Sequence, residues 1–158
     1  MISVIDTIDT KKKMLEVCID DLQTFTQGVK ARMKEFLKKG RRVKEAAEDI
    51  EASLTSKVEN AEISALEYDL DHAVKEMRIL KYLLKTHQEE HDKVGLGAVV
   101  VTHRNSFFVS ADLQRFEMDG QSFIAISNQC PLFKSMRGKK RGERFVHKDL
   151  SYQILDIY

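Results

Sequence analysis

Apolar residues in the first half of the chain recur in steps of three and four. From about residue 11 to residue 54 they are Leu15, Cys18, Leu22, Phe25, Val29, Met33, Phe36, then Gly40, Val43, Ala47, Ile50 and Leu54. The steps alternate except at Phe25–Val29–Met33, which reads as a single stutter in a heptad stripe. A second run, Ile63, Leu66, Leu70, Ala73, Met77, Leu80 and Leu84, alternates strictly. Two such stripes joined by a short turn near Thr55 predict an antiparallel helical hairpin. At 1.5 Å of rise per residue it would be on the order of 55–65 Å long. Gly40 falls on the first stripe, where glycine costs about 1 kcal/mol relative to alanine. Close helix approach and a bend both fit it.

After Lys93 the period changes from about 3.6 to 2. The segments "GLGAVVVTH", "SFFVSA", "QSFIAIS" and "YQILDIY" are short, rich in β-branched and aromatic residues, and bounded by turns such as "MDGQ". "PLFKSMRG" reads as one short helix, with Pro131 at its first position and Gly138 at its exit. The aromatics Phe107, Phe108, Phe116, Phe123 and Phe145 read as core. The fold class expected is α+β, with a helical hairpin over residues 1–93 and a mostly antiparallel β domain with one helix over residues 94–158.

Composition sharpens this picture. Charged residues make up 32% of the chain, above the roughly 25% of ordinary domains, which suits long exposed helices. Two distant cysteines, Cys18 and Cys130, form neither a disulfide framework nor a zinc site. The start "MISVIDTIDTKKK" carries acids where a signal peptide needs an apolar core. No apolar run nears the roughly 20 residues that span a bilayer. A cytoplasmic protein without membrane contact is expected.

The net charge of +1 hides a sorting along the hairpin. Lys30, Arg32, Lys34, Lys38, Lys39, Arg41, Arg42 and Lys44 face one acid, Glu35. Then Glu48, Asp49, Glu51, Glu59 and Glu62 face one cation, Lys57. A basic shaft thus leads to an acidic tip near residues 48–62. Charge runs are often just solvated faces. Here Glu48, Asp49 and Glu51 end the first predicted helix, where the macrodipole disfavours acids. Ser56-Lys57-Val58-Glu59 has the form of a capping box, with Ser56 at the N-cap of the second helix.

Further along, His87 and His91 stand four residues apart on a predicted continuation of the second helix. That spacing suits zinc. The glutamate is misplaced for a metalloprotease motif, and packing at the hairpin base opposite Leu22 and Cys18 is the plainer reading. Cys130, at a helix start, reads as structural. Lys134, Arg137, Lys139, Lys140, Arg141 and Arg144 form a basic group suited to an acidic protein surface or to nucleic acid.

Hairpin, basic shaft, acidic tip and C-terminal β domain together resemble the bacterial Gre transcript-cleavage factors. The resemblance covers nearly the whole chain. At the tip, Glu59-Asn60-Ala61-Glu62 is similar to the second half of the family's acidic segment. In the C-terminal half, "VGLGAVVV" resembles the opening strand of the family's FKBP-like domain. Ile126-Ser127, Cys130-Pro131-Leu132, Met136-Arg137-Gly138-Lys139 and Gly142-Glu143 resemble its serine-proline helix and glycine-lysine turn.

The resemblance implies a monomeric accessory factor, not itself an enzyme, whose partners are RNA polymerase and the 3′ end of the nascent RNA. The hairpin would enter the secondary channel. Glu59 and Glu62 would act on the catalytic centre, with Glu59 directed to a Mg²⁺ shared with the polymerase. Lys34, Lys38, Lys39, Arg41 and Arg42 would face RNA. Lys134, Arg137, Lys139, Lys140 and Arg141 would bind the partner. Two metals stabilise the attacking and leaving oxygens, Mg²⁺ takes carboxylates and water, and cations attract phosphates without reading sequence. The chain departs from the pattern where the leading tip aspartate aligns with Ser56, the tyrosine with Ile63, and the serine before proline with Cys130. A channel-binding regulator without cleavage activity is therefore the alternative. An isomerase-like or scaffold protein with a dimerising hairpin is a further one.

Overall fold

Val4–Ala46 and Ile50–Lys85 form two α-helices, α1 and α2. The computed structural model describes the backbone of residues 4–46, 50–113 and 115–158, and the side chains of residues 6–39, 60–113 and 115–158. Gly40 and the acids Glu48, Asp49, Glu51 and Glu59 lie outside the described side chains. No helix of the described residues is long and apolar enough to cross a membrane. Packing divides the chain into two compact units. One is Asp21–Lys75, and the other joins Met1–Asp20 to Glu76–Tyr158. Helix α2 ends at Lys85 and the first strand begins at Val99, and packing groups the ends of both helices with the strands.

In the Asp21–Lys75 unit, whose described residues are all helical, Leu22, Val29, Leu66 and Ala73 are buried. Ile63, Leu70, Met33 and Phe36 are half-buried. Two expectations need correction. Phe25 is 50% exposed, and the half-buried residue between Leu22 and Val29 is Thr26. Its hydroxyl donates to the Leu22 carbonyl at 2.8 Å, so a polar side chain sits on the stripe at little cost. The stutter therefore falls at Cys18–Leu22–Thr26. The second correction concerns Ser56. Since α2 begins at Ile50, Ser56 lies past the first helical turn and is not the N-cap. Residues 50–60 contain no glycine or proline, and nothing in them stops a helix.

The other unit is built on a six-stranded sheet. Its strands are β1 (Val99–Thr102), β2 (Ser106–Ser110), β3 (Arg115–Met118), β4 (Gln121–Ser127), β5 (Arg144–His147) and β6 (Leu150–Ile157), and α3 (Pro131–Met136) follows β4. The order across the sheet is β3-β4-β2-β1-β6-β5. All pairs are antiparallel except β2 with β4. Alternation gives the sheet two apolar faces. On one, Val100, Phe107, Val109, Ile126 and Ile154 pack with Phe133 and Met136 of α3. Phe145 stacks on Tyr152 at 4.8 Å, and Phe107 meets Tyr152 edge-on at 6.0 Å. The opposite face presents Val99, Phe108 and Phe123, all buried.

Met14, Leu15 and Cys18 of α1 and Leu80 and Leu83 of α2 are buried in this same unit. Leu15, Leu83, Leu96, Gly97 and Phe108 line one small cavity of about 100 Å³, so the helix ends cover the second face. Gly97 has φ +89°, and a Cβ there would lie 3.1 Å from the Leu83 side chain. Only glycine suits both conditions. Glu76, 7% exposed, accepts a hydrogen bond from the Asp112 N–H at 2.8 Å and so ties α2 to the β2–β3 connection.

Strands β3 and β5 escape the sequence pattern, each having one buried position in four residues. The β5–β6 turn hides for a further reason. Lys148 and Asp149 have φ of 49° and 63°, the left-handed pair of a tight hairpin turn that ordinarily calls for Asn-Gly. Replacing Lys148-Asp149 by Asn-Gly should relieve about 1 kcal/mol of backbone strain and raise the thermal midpoint by several degrees. An unchanged or lower midpoint in a thermal melt would show that the turn carries no such strain.

Candidate functional site

The segment from α3 into β5 gathers the cations. Cys130 caps α3, its sulfur accepting from the Phe133 N–H at 3.4 Å, so the thiol has the structural role expected of it. Pro131 fills the first helical position. Past Met136 the chain makes a loop with two left-handed glycines, Gly138 (φ +75°) and Gly142 (φ +88°). Backbone bonds hold this loop on both sides. Val94 N–H donates to the Lys139 carbonyl at 2.8 Å, and Gly138 N–H donates to the Val94 carbonyl at 3.0 Å. Gly142 N–H donates to the Ile154 carbonyl at 2.8 Å, and Ile154 N–H returns a bond to Glu143 at 2.9 Å. The nearby acid Glu143 is engaged by the Lys140 N–H at 2.6 Å.

Because the backbone satisfies itself, the side chains are left over. Lys134, Arg137, Lys140 and Arg141 are exposed and Lys139 is half-buried. None of the five takes part in an ion pair among the described residues. Arg144, exposed beside them, donates to the Gln153 side chain at 3.5 Å. On the adjoining β5–β6 hairpin Val146 and Leu150 are exposed. A rigid loop with unpaired cations beside apolar residues suits an acidic partner surface, since little ordering entropy is lost on binding.

The remaining predicted site residues lie in the Asp21–Lys75 unit. Lys34, Lys38 and Lys39 are exposed on α1, and Glu62 is exposed on α2. Arg41, Arg42 and Glu59 fall on helical backbone, but their side chains are outside the described residues.

The histidines need correction. Because α2 ends at Lys85, His87 and His91 are not on a helix. Thr86 Oγ donates to the Tyr82 carbonyl at 3.3 Å, and His87 Nδ1 pairs with the Leu84 carbonyl at 2.7 Å. These side chains finish the helix by satisfying its terminal carbonyls. Among the described residues no three His, Cys, Asp or Glu converge to hold a metal, so the pair gains no third ligand there.

Both histidines instead line a cavity of about 370 Å³ with Lys11, Arg141 and Tyr158. Lys11 is only 4% exposed. Its ammonium donates to the Glu89 carbonyl at 3.4 Å. Burial lowers its pKa from 10.5 to about 8, against a smaller upward pull from Glu89. Burial also lowers His91, with help from the Lys11 charge, and raises Tyr158. Lys11 continues the α1 stripe backward, four residues before Leu15 and seven before Cys18. That spacing is the signal by which a buried lysine is legible.

Compared with known protein families and with curated proteins, the sequence matches none. Among solved structures, the chain is similar to one described as the transcription factor Gfh1, with 17% identity, 89% of this chain and 92% of that chain covered, and a TM-score of 0.33. It is likewise similar to Gfh1 of Thermus aquaticus, with 15% identity, 88% and 92% covered, and a TM-score of 0.31. The α+β architecture itself rests on the chain's own elements and strand order.

The buried ammonium sets a pH dependence. Folding lowers the Lys11 pKa, so the folded state holds fewer protons than the unfolded state between about 8 and 10.5. Stability attributable to Lys11 should therefore rise as pH increases through that window. Lys11→Met keeps the buried stem and removes the charge. Its chemical-denaturation midpoint should equal or exceed wild type near neutrality and should lack the alkaline gain. Parallel pH profiles for the two proteins would refute the assignment.

Proposed function

We propose that this protein is a transcription factor that binds RNA polymerase. The rigid basic loop docks on an acidic surface at the rim of the secondary channel, and the helical pair reaches into that channel toward the 3′ end of the nascent RNA in backtracked complexes. The observation that carries this reading is the loop. The residues that resemble the Gre turn, Met136-Arg137-Gly138-Lys139 and Gly142-Glu143, build a backbone-anchored turn on two left-handed glycines with unpaired cations. The exposed Lys34, Lys38 and Lys39 on α1 suit attraction to an RNA backbone without sequence readout.

In this reading the chemistry belongs to the polymerase. Glu59 would help hold a Mg²⁺ shared with its catalytic centre, with Glu62 adding negative charge nearby, and that Mg²⁺ would supply water activation for phosphodiester cleavage. Ser56 supplies no carboxylate where the resembled pattern has an aspartate. That substitution favours a second reading, a channel-binding regulator that docks without stimulating cleavage.

Two measurements test these readings. Reversing Lys139, Lys140 and Arg141 to Glu should slow association with core RNA polymerase by roughly tenfold or more at low salt and flatten its salt dependence. Unchanged kinetics would remove the loop from the interface. In backtracked complexes at matched occupancy, Glu59→Gln should abolish Mg²⁺-dependent release of short RNA without loss of helix, because Gln and Glu have similar helix propensity. Cleavage by wild type that survives Glu59→Gln would overturn the role given to Glu59. Cleavage by Ser56→Asp alone would establish the regulator reading.

A further inference from the structure

Apart from Arg141, the residues of the cavity around Lys11 are not used by the proposed function, yet they hold an amine in an unusual setting. Lys11 lies on the apolar stripe of α1, is 4% exposed, and forms part of the wall of two adjoining cavities. A buried lysine ordinarily secures its ammonium with a carboxylate or several carbonyls. Here the recorded acceptor is one carbonyl, that of Glu89, at 3.4 Å. The cavity, about 370 Å³, is within the range of small-molecule sites. Its titratable neighbours are mixed in sign: His87, Glu89, Glu90 and His91 from the segment after α2, Asp156 and Tyr158 from the β6 end, and Arg141 from the basic loop.

That mixture argues against a simple anion site, since carboxylates outnumber the permanent cations. It suits a neutral reactant that becomes positively charged once bound. We propose that Lys11 is a nucleophilic lysine that forms a reversible imine with small aldehydes admitted to this cavity. The amine lone pair attacks the carbonyl carbon, and the C–N bond forms as the C=O π electrons move to oxygen. Transfer of a proton from the resulting ammonium nitrogen to the alkoxide gives the carbinolamine, and a second proton, from solvent, lets its hydroxyl leave as water, giving a C=N iminium at Lys11 with no net oxidation or reduction. A positively charged iminium at this position is favoured by the Glu89 carboxylate, whose field already acts on Lys11. His91, whose pKa is lowered chiefly by burial, lies on the same wall, placed to pass the proton released by the amine to the developing hydroxyl. Burial also leaves Lys11 with roughly two orders of magnitude more free amine at neutral pH than an unperturbed lysine.

The test uses the full chain and its own internal controls. Lys12 and Lys13 follow Lys11 on the same helix and are exposed. The protein is incubated near neutral pH with propanal and sodium cyanoborohydride, which reduces an imine to a stable amine, and each lysine is followed by peptide mass spectrometry. Lys11 should be trapped about tenfold faster than Lys12 and Lys13. In urea the three should converge. Equal or slower trapping at Lys11 in the folded chain, or a preference that persists in urea, would overturn the proposal.

Discussion

Everything in the sheet-bearing unit depends on covering its second face. A six-stranded sheet with apolar residues on both sides cannot be stable with one side in water. Helix α3 covers the first face with Phe133 and Met136. The second is covered by Met14, Leu15 and Cys18 from one end of the chain and by Leu80 and Leu83 from its middle. Burying side chains of this size contributes about 1.5–3 kcal/mol each, comparable in sum with the whole stability of a domain. The helix ends are therefore structural members of the sheet unit, and Gly97 and Glu76 are where the fit is tightest.

The same constraint places the two chemically distinct regions. The 137–143 loop is pinned by Val94 on one side and β6 on the other, which leaves its cations free for a partner. The Lys11 cavity forms where α1, the segment after α2 and the β6 end meet. Its buried amine is a by-product of using a stripe position of α1 for lysine. A polar group on a stripe is tolerable when its partner is local, as for Thr26 and the Leu22 carbonyl. It is costly when its partner is a single distant carbonyl, as for Lys11.

Much of the fold is legible in sequence because period is a strong signal. The change from heptads to alternation after Lys93, the four longer apolar strand segments and the Pro131 helix all stand in the structure. What escapes is set by local exceptions. Lys148 and Asp149 adopt left-handed conformations without glycine, so the β5–β6 turn carries no turn signature. Ser56 and Glu59 have the spacing of a capping box inside an uninterrupted helix, so the motif marks no boundary. His87 and His91 continue a helical spacing past the helix end because Thr86 and His87 cap it. The basic loop is visible as composition, whereas its rigidity is not, since it comes from backbone bonds to Val94 and Ile154 that are distant in sequence.

The order β3-β4-β2-β1-β6-β5 has a consequence for how the chain acquires its structure. The last strand, β6, lies between β1 and β5, and the first buried helix residues belong to the same unit. During vectorial synthesis the early strands therefore wait with an open edge at β1 until β6 arrives. Helix α1 meanwhile forms early, since its hydrogen bonds are local. High contact order of this kind slows folding and lengthens the interval in which the β1 edge is available to another nascent copy. Cellular yield should thus be governed by the rate at which β6 docks more than by the stability of the finished sheet.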